Sequence, residues 1–177
     1  LPGSMVENIW VVKGANSVLQ GYENMVGQIS VFPREGGTAE PFTGDVLLNQ
    51  FGEKHLNAGV AINKEKWTNY LAIHSSQPGN KFDRDQDNFL DLPLLTRYSF
   101  YNKWRYRKEN ENGLSAFVGA RFVNEQRIGG QENFNPDTDE GTNRAYGQTV
   151  RFRQPELFTK TGWRFDANRK VSLLASF

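Results

Sequence analysis

Cysteine is absent from the 177 residues, and histidine occurs only twice. Without cysteine the chain can form no disulfide scaffold, no thiolate zinc site and no cysteine nucleophile. The sequence also lacks the run of about 18 apolar residues that a transmembrane helix needs. Its 21 basic and 20 acidic side chains nearly cancel, which argues against nucleic acid as a partner, because nucleic-acid binders carry a strong basic bias.

Helical periodicity is almost missing as well, and the best candidate helix is a short one over 16–22. Aromatic residues make up 13% of the chain and glycine occurs 17 times, a combination that favours strands and turns. The mean hydropathy of −0.65 looks like that of a soluble protein. This average is uninformative, because strands that alternate apolar and polar residues lower it whatever covers their apolar face.

Alternation with period two is the main signal along the chain. It is clearest over 96–106, where Phe100 and Trp104 share one face and Lys103 and Arg105 share the other. Such alternation predicts strands with one apolar and one polar face. The predicted strands are about 43–50, 55–62, 66–75, 95–107, 113–124, 156–165 and 169–177.

Several of these strands are about nine to eleven residues long, the length that crosses a bilayer at a tilt. The connections alternate between short ones such as 63–66 and long ones at 75–93 and 124–155. Outer-membrane barrels have short turns at one end and long loops at the other. The pattern therefore predicts a mostly β protein, part of a transmembrane antiparallel β-barrel. The alternative is a soluble β-sandwich with aromatic core faces.

Aromatic residues cluster near the predicted strand ends. The pairs are Trp67 with Tyr70, Trp104 with Tyr106, and Trp163 with Phe165. Rings of this kind are enriched where a membrane meets water, because one edge is apolar and the other can hydrogen-bond.

Residues 1–37 differ from the rest. They predict a strand over 9–13, a glycine-led turn, a short helix, a second turn and a strand over 27–32. Gly14, Gly21 and Gly27 stand at the joints, where a positive φ or a close backbone approach is needed.

This segment runs Ile9-Trp-Val-Val-Lys-Gly-Ala-Asn-Ser-Val-Leu-Gln-Gly-Tyr-Glu, then Gly27-Gln-Ile-Ser-Val. It resembles the closing part of the plug domain of TonB-dependent outer-membrane receptors, of the type found in Bacteroidota. The family pattern usually places glutamate after the first isoleucine, whereas this chain has Trp10. The helix also lacks the Ala-Ala-Ala-Ile-Tyr-Gly-x-Arg run of the sugar-importing relatives.

The resemblance implies two domains, the C-terminal part of an α/β plug at 1–37 and the first strands of the barrel at 38–177. It implies a bacterial outer-membrane receptor that imports a scarce nutrient, such as a metal chelate, siderophore or cobalamin-like ligand. The implied partners are the TonB complex, outer-membrane lipid and the small-molecule ligand, and no enzymatic step is implied. Seven strands cannot close a 22-stranded barrel, so we expect a fragment whose TonB-engaging part is missing.

The segment 82–93 carries carboxylates at alternate positions. Asp83, Asp85, Asp87 and Asp91 match positions 1, 3, 5 and 9 of a calcium loop, and Phe89 would supply a backbone carbonyl. Leu94 replaces the usual bidentate glutamate, which excludes an EF-hand but leaves a looser calcium site. The alternative is an acidic solvated loop whose charges pair partly with Lys81 and Arg84. Calcium or glycan binding by a soluble all-β module is the alternative function.

Two weaker groups complete the candidates. His55 and His74 lie on different predicted strands without metal-ligand spacing, so we interpret them as boundary or lumen residues. Six cations share the polar strand faces, where they either pair with plug carboxylates such as Glu7 and Glu23 or form a basic wall for an anionic chelate. They are Arg97, Lys103, Arg105, Arg121, Lys160 and Arg164.

Overall fold

The computed structural model describes residues 2–14, 26–107 and 112–177, and these form two antiparallel sheets. The smaller sheet pairs β1 (Val6–Lys13) with β2 (Gly27–Pro33), after a 3-10 turn at Gly3–Met5. The larger sheet has seven strands in chain order. They are β3 (Phe42–Leu48), β4 (Lys54–Asn63), β5 (Trp67–Gln77), β6 (Leu94–Tyr106), β7 (Gly113–Gly130), β8 (Gly147–Arg164) and β9 (Lys170–Ser176).

The mostly β prediction is confirmed, and each of the seven predicted barrel strands corresponds to one strand of the larger sheet. The only α-helix among the described residues is α1, a single turn at Pro136–Asp139. No helix in the described ranges combines the length and apolar character needed to cross a membrane. The helix predicted over 16–22 lies outside the described residues.

The connection between β7 and β8 differs from the prediction. We expected a loop over 124–155, but both strands have 18 residues and pair without a break from Gly113↔Arg164 to Gly130↔Gly147. The true loop is 131–146. On β7 the added residues are polar on both faces, with Asn124, Glu125, Gln126 and Arg127 in succession. On β8 Val150 and Phe152 do alternate with polar residues, a signal that the sequence analysis missed.

The short and long connections alternate as predicted. The turns 64–66 and 165–169 lie at one end of the sheet, and the loops 78–93 and 131–146 lie at the other. The loop 49–53 also belongs to the long-loop end, although it is short. It is held there by the amide of Asn80, which donates to the Phe51 carbonyl at 2.9 Å, and by ring contact between Phe51 and Phe82.

The core lies on the face of the larger sheet that also carries the charges. Tyr70, Ala72 and Tyr101 are buried there together with Met5 from the 3-10 turn. The linker 34–41 runs from β2 across this face. Gly36 lies so close to the backbone of Asn69 that a Cβ atom would overlap it. The small sheet is thus joined to the inner side of the large one.

Candidate functional sites

The other face of the larger sheet, which we call the apolar face, is covered by large hydrophobic side chains that remain exposed. Trp104 is 46% exposed and Val118 is 45% exposed, whereas Tyr70 and Tyr101 on the polar face are 1% and 2% exposed. Monomeric soluble proteins rarely leave a contiguous apolar surface of this extent open. Its exposed members are Phe42, Val46, Leu48, Leu56, Val60, Ile62, Trp67, Ile73, Tyr98, Phe100, Trp104, Leu114, Val118, Phe122, Leu157, Trp163, Val171 and Leu173.

Two amides interrupt this surface, and both are satisfied locally. Asn69 donates to the Lys103 carbonyl at 3.1 Å, and Asn102 donates to the Tyr70 carbonyl at 3.2 Å. Hydrogen-bonded amides cost far less in apolar surroundings than unpaired ones. The apolar face therefore exposes no unpaired amide at these two positions.

The apolar side chains form a band that slants across the strands. On β4 the apolar residue nearest to the short turns is Ile62. The β8 residue at the same level of the pairing register is Thr159, which is reached through Asn69, Trp104 and Val118. On β8 the band extends to Trp163, four residues beyond Thr159. With four strand steps the short-turn edge of the band shifts by about one residue per strand, which at about 3.3 Å rise and about 4.8 Å spacing corresponds to an inclination of that edge of about 35°. Transmembrane barrel strands tilt by about 35–45°.

The band has aromatic residues at the short-turn end. Trp67 stacks on Tyr106 with ring centroids 4.7 Å apart, and Trp163 is half exposed on β8. Tyr70 departs from the prediction that aromatics at strand ends mark a boundary. It points to the polar face and is buried in the core, because it is an odd number of residues from Trp67 and strand side chains alternate.

The polar face is lined by paired charges. Arg97 donates to Glu125 at 2.6 Å, Arg127 also donates to Glu125, and Arg121 donates to Glu156. The pairs of Arg97 with Glu125 and of Arg121 with Glu156 join neighbouring strands, whereas Arg127 and Glu125 both lie on β7. These charges within the sheet therefore satisfy one another.

One carboxylate from the linker completes this network. Glu35 accepts hydrogen bonds from Lys103 at 2.5 Å and from Arg105 at 2.6 Å, and both cations are largely buried. We expected carboxylates such as Glu7 and Glu23 in this role. Glu7 instead accepts from Thr38, and Glu23 lies outside the described residues. The sequence analysis missed Glu35, although its place in the linker beside two glycines could have indicated it.

His55 and His74 both lie on the polar face, with ring centroids 6.1 Å apart. Nδ1 of His74 is 2.7 Å from Oδ1 of Asn57, whose amide donates to Asp45 at 2.7 Å. Neither histidine belongs to a group of three metal-ligating side chains within the described ranges. Both histidines therefore face away from the apolar side of the sheet, and their interpretation as boundary or lumen residues stays a prediction.

The acidic loop brings together three of the predicted ligands. Carboxylate oxygens of Asp83, Asp85 and Asp87 all lie within 4.8 Å of one another. Asp91 is engaged elsewhere and accepts the Arg84 amide at 2.8 Å. The loop turns tightly because Gln86 and Asn88 have φ of +62° and +67°, and Asp83 accepts the amides of both at 2.8 and 2.9 Å.

The loop is fixed to the tip of the β7–β8 hairpin. Leu90 donates to the Gly130 carbonyl at 2.8 Å, Glu132 donates to the Asn88 carbonyl at 2.9 Å, and Phe89 forms an isolated bridge with Gln131. The Phe89 carbonyl therefore belongs to a segment paired with the hairpin. Lys81 donates to the Glu132 carbonyl, which is a different role from the expected pairing with the aspartates.

Mutual repulsion is visible in the ionisation of this loop. The neighbouring Asp87 carboxylate, above all, raises the pKa of Asp85, and a hydrogen bond with Asp83 and the charges of Asp91 and Asp83 add to the effect. Like charges that raise a carboxyl pKa are relieved by a bound cation as well as by a proton.

Two of the three glycines singled out by sequence have the predicted conformation. Gly14 has φ of +93° and Gly27 has φ of +154°, and a Cβ at Gly27 would come within 2.7 Å of the Val12 carbonyl oxygen. Gly21 lies outside the described residues. Both ends of the β1–β2 connection thus require glycine for backbone reasons.

Comparisons with protein-family models, with curated proteins and with solved structures found no match to this chain.

Proposed function

We propose that the chain is the end of a plug and the first seven strands of the barrel of a TonB-dependent outer-membrane receptor. The observation that carries this proposal is the slanted apolar band on one face of the seven-stranded sheet. On β6 the band runs from Tyr98 to Tyr106, about 26 Å along the strand at about 3.3 Å per residue, which at a tilt of about 35° corresponds to a height of about 22 Å. The apolar band of an outer-membrane barrel is about 25 Å tall, so the two dimensions are compatible.

The two-stranded sheet supports the plug part of the proposal. Its strands expose apolar side chains on both faces, with Val11 64% exposed on one face and Trp10 63% exposed on the other. Strands of this composition are normally buried on both sides. In a plugged barrel the remaining plug would cover them, and the linker with Glu35 would join the plug to the wall.

The charged polar face supports a wet lumen. Paired charges and amides such as those of Arg121, Glu156 and Asn57 suit a surface that water can reach, because removing charges from water is costly. The proposed activity is import of a scarce nutrient (a metal chelate, siderophore or cobalamin-like ligand), with energy delivered by the TonB complex to the plug. It requires no chemical step by the receptor.

Tryptophan fluorescence tests the membrane assignment directly, because the chain has only four tryptophans. Trp67, Trp104 and Trp163 lie on the apolar face, whereas Trp10 lies on β1. Four variants, each with three tryptophans changed to phenylalanine, would be placed in vesicles of lipids brominated on their acyl chains. We expect strong quenching of Trp104, weaker quenching of Trp67 and Trp163 near the interface, and little quenching of Trp10.

Equal quenching of Trp10 and Trp104 would contradict the proposal. So would a purified protein that stays monodisperse without detergent, since a barrel wall with this face open to water aggregates.

The second candidate function is a soluble all-β module that binds calcium or glycan, and the clustered aspartates are the observation in its favour. We infer calcium binding by Asp83, Asp85 and Asp87 under either function, since carboxylate oxygens are the ligands that Ca²⁺ prefers. Calcium titration followed by limited proteolysis tests this, with Asp83→Asn and Asp85→Asn as variants and Asp137→Asn on α1 as the matched control. Absence of heat and of calcium-dependent protection over 82–94 in the unaltered protein would remove the site.

A further inference from the structure

The apolar face ends abruptly along one line that crosses four strands. The last apolar row in the pairing register consists of Ile73, Phe100, Phe122 and Pro155. The next row towards the long loops consists of Ser75, Tyr98, Asn124 and Arg153. A single step along the strands therefore replaces a wholly apolar row by one with three polar side chains, the ring of Tyr98 among them and a cation at its end.

A groove opens directly above this line, on the base of the β7–β8 hairpin. Its volume is about 510 Å³, and it is lined by Thr96, Tyr98, Asn124, Glu125, Gln126, Arg151, Phe152 and Arg153. The carboxylate of Glu125 is already paired with Arg97 and Arg127. The groove is of the size that holds a small ligand or a headgroup. The row of Phe100, Phe122 and Pro155 lies one step below these residues in the pairing register.

The two arginines of the groove differ in their partners. Arg151 forms a two-pronged ion pair with Glu140, with contacts of 3.1 Å from both terminal nitrogens. Arg153 is exposed, and within 2–14, 26–107 and 112–177 its guanidinium has neither an ion pair nor a hydrogen bond. One uncompensated guanidinium thus stands at the upper margin of the apolar band.

We propose that Arg153, with Arg151 beside it, binds the phosphate of a membrane-lipid headgroup. This inference rests on the proposed function, because it needs the apolar band to lie in a bilayer. Headgroup phosphates lie just outside the hydrocarbon core, at the level of the first polar row. Guanidinium binds phosphate through two parallel, charge-assisted hydrogen bonds.

The geometry favours a lipid-borne phosphate over a free one. A phosphate in this groove has the row of Phe100, Phe122 and Pro155 immediately below it, and the acyl chains of a lipid would lie on that row. A free anion would use the arginines alone and would gain nothing from the apolar surface. Tyr98, whose hydroxyl accepts from Gln77 at 3.1 Å, adds the aromatic ring expected at such an interface.

Native mass spectrometry of the detergent-solubilised full chain tests the inference, with phosphatidic acid as probe and diacylglycerol as the matched lipid without phosphate. We expect phosphatidic acid to be retained and diacylglycerol to be lost. Arg153→Gln should reduce retention roughly fivefold, the effect of about one cation at a lipid surface. Lys64→Gln, which removes one positive charge in a turn at the opposite end, should leave retention unchanged.

Arg153→Lys provides a second variant if the glutamine variant does not fold. It should give intermediate retention of phosphatidic acid, because lysine keeps the positive charge but lacks the two parallel N–H donors of the guanidinium. Equal retention by the unaltered protein, Lys64→Gln and both Arg153 variants would overturn the inference. Complete displacement of phosphatidic acid by inorganic phosphate would overturn it too and would assign the groove to a free anion.

These failures are distinct from failure of the proposed function. The headgroup site alone is wrong if the protein requires detergent and Trp104 is quenched by brominated lipid, but substitution of Arg153 leaves the retention of phosphatidic acid unchanged. If the protein is monodisperse without detergent, the membrane assignment and the headgroup site are wrong together.

Discussion

The two sheets of this protein expose apolar residues in different ways. The seven-stranded sheet exposes most of them on its apolar face and carries paired charges and its core on the other. Four large hydrophobic side chains are exposed on that polar face, namely Leu47, Val150, Phe152 and Leu174. The two-stranded sheet exposes them on both faces, with Val11 and Ile29 on one and Trp10 and Phe32 on the other. A surface that is apolar on one side suits lipid, which covers a single face. A ribbon that is apolar on both sides suits burial within protein.

A charge placed on each sheet tests this difference and should give the largest effect. Val118→Arg lies midway along the band on β7, where an arginine facing lipid costs about 2–4 kcal/mol. Val11→Arg is the matched substitution on β1 and should cost much less in this chain, because β1 lies outside the proposed lipid contact. Denaturant unfolding in vesicles measures both. Similar losses at the two positions would remove the distinction between the sheets.

The joint between the two regions should be nearly as sensitive. Gly36→Ala places a Cβ against the backbone of Asn69, which cannot move without distorting β5, so we expect a loss of about 1–3 kcal/mol. Gly37→Ala is the control, since its Cβ would meet only the Thr68 side chain at an ordinary 3.8 Å. Unfolding free energy, together with proteolysis within 33–41, reports the effect. Equal tolerance of both alanines would show that the linker does not pack on the wall as described.

The charge that ties the linker to the wall should have a moderate effect. Glu35→Gln leaves Lys103 and Arg105 without their carboxylate while both side chains are largely buried, which we expect to cost about 1–3 kcal/mol. Glu140→Gln breaks the exposed pair with Arg151 and should cost about 0–1 kcal/mol. The same unfolding measurement compares them. A larger loss for Glu140→Gln would reverse the assigned importance of the two pairs.

The smallest effect concerns the acidic loop. Because the pKa of Asp85 is raised in the folded loop, its ionisation disfavours the calcium-free loop, which gains stability as the pH falls through that pKa. Asp85→Asn should therefore slightly stabilise the loop without calcium and weaken calcium binding. Hydrogen exchange of 82–94 with and without calcium, at neutral and acidic pH, measures both. The proposed role of repulsion would be contradicted if Asp85→Asn changed the exchange protection of the calcium-free and the calcium-bound loop in the same direction.

Asp139, at the tip of the β7–β8 hairpin, has a pKa shift in the opposite direction and serves as an internal reference. A hydrogen bond from the Asn135 backbone amide, chiefly, lowers the pKa of Asp139, and the Thr138 hydroxyl adds to it. Stability from this group is present above the ordinary carboxyl pKa and is lost as the pH falls through the lowered value. Acidification should therefore loosen the turn at 135–139 while it relaxes the repulsion at Asp85.

Much of the fold could be predicted because alternation is a local property. Phe100 and Trp104 had to share a face once 96–106 was a strand, and both lie on the apolar face. The length of the β7–β8 hairpin was not predicted, since its added residues on β7 are polar on both faces. The alternation of Val150 and Phe152 with arginines on β8 was the one local signal of a strand there. The acidic cluster was predicted from spacing, but the attachment of Asp91 to Arg84 and of Phe89 to Gln131 depends on the loop's path.

By itself, the sequence determined which residues share a strand face and where glycine is required, because side-chain period and φ are set by the local chain. Gly14 and Gly27 are of this kind. Tertiary structure alone decided that Tyr70 is buried, that Glu35 rather than Glu7 meets Lys103 and Arg105, and that the apolar band slants by about one residue per strand. Each of these depends on register between distant segments, and register is a property of the assembled sheet.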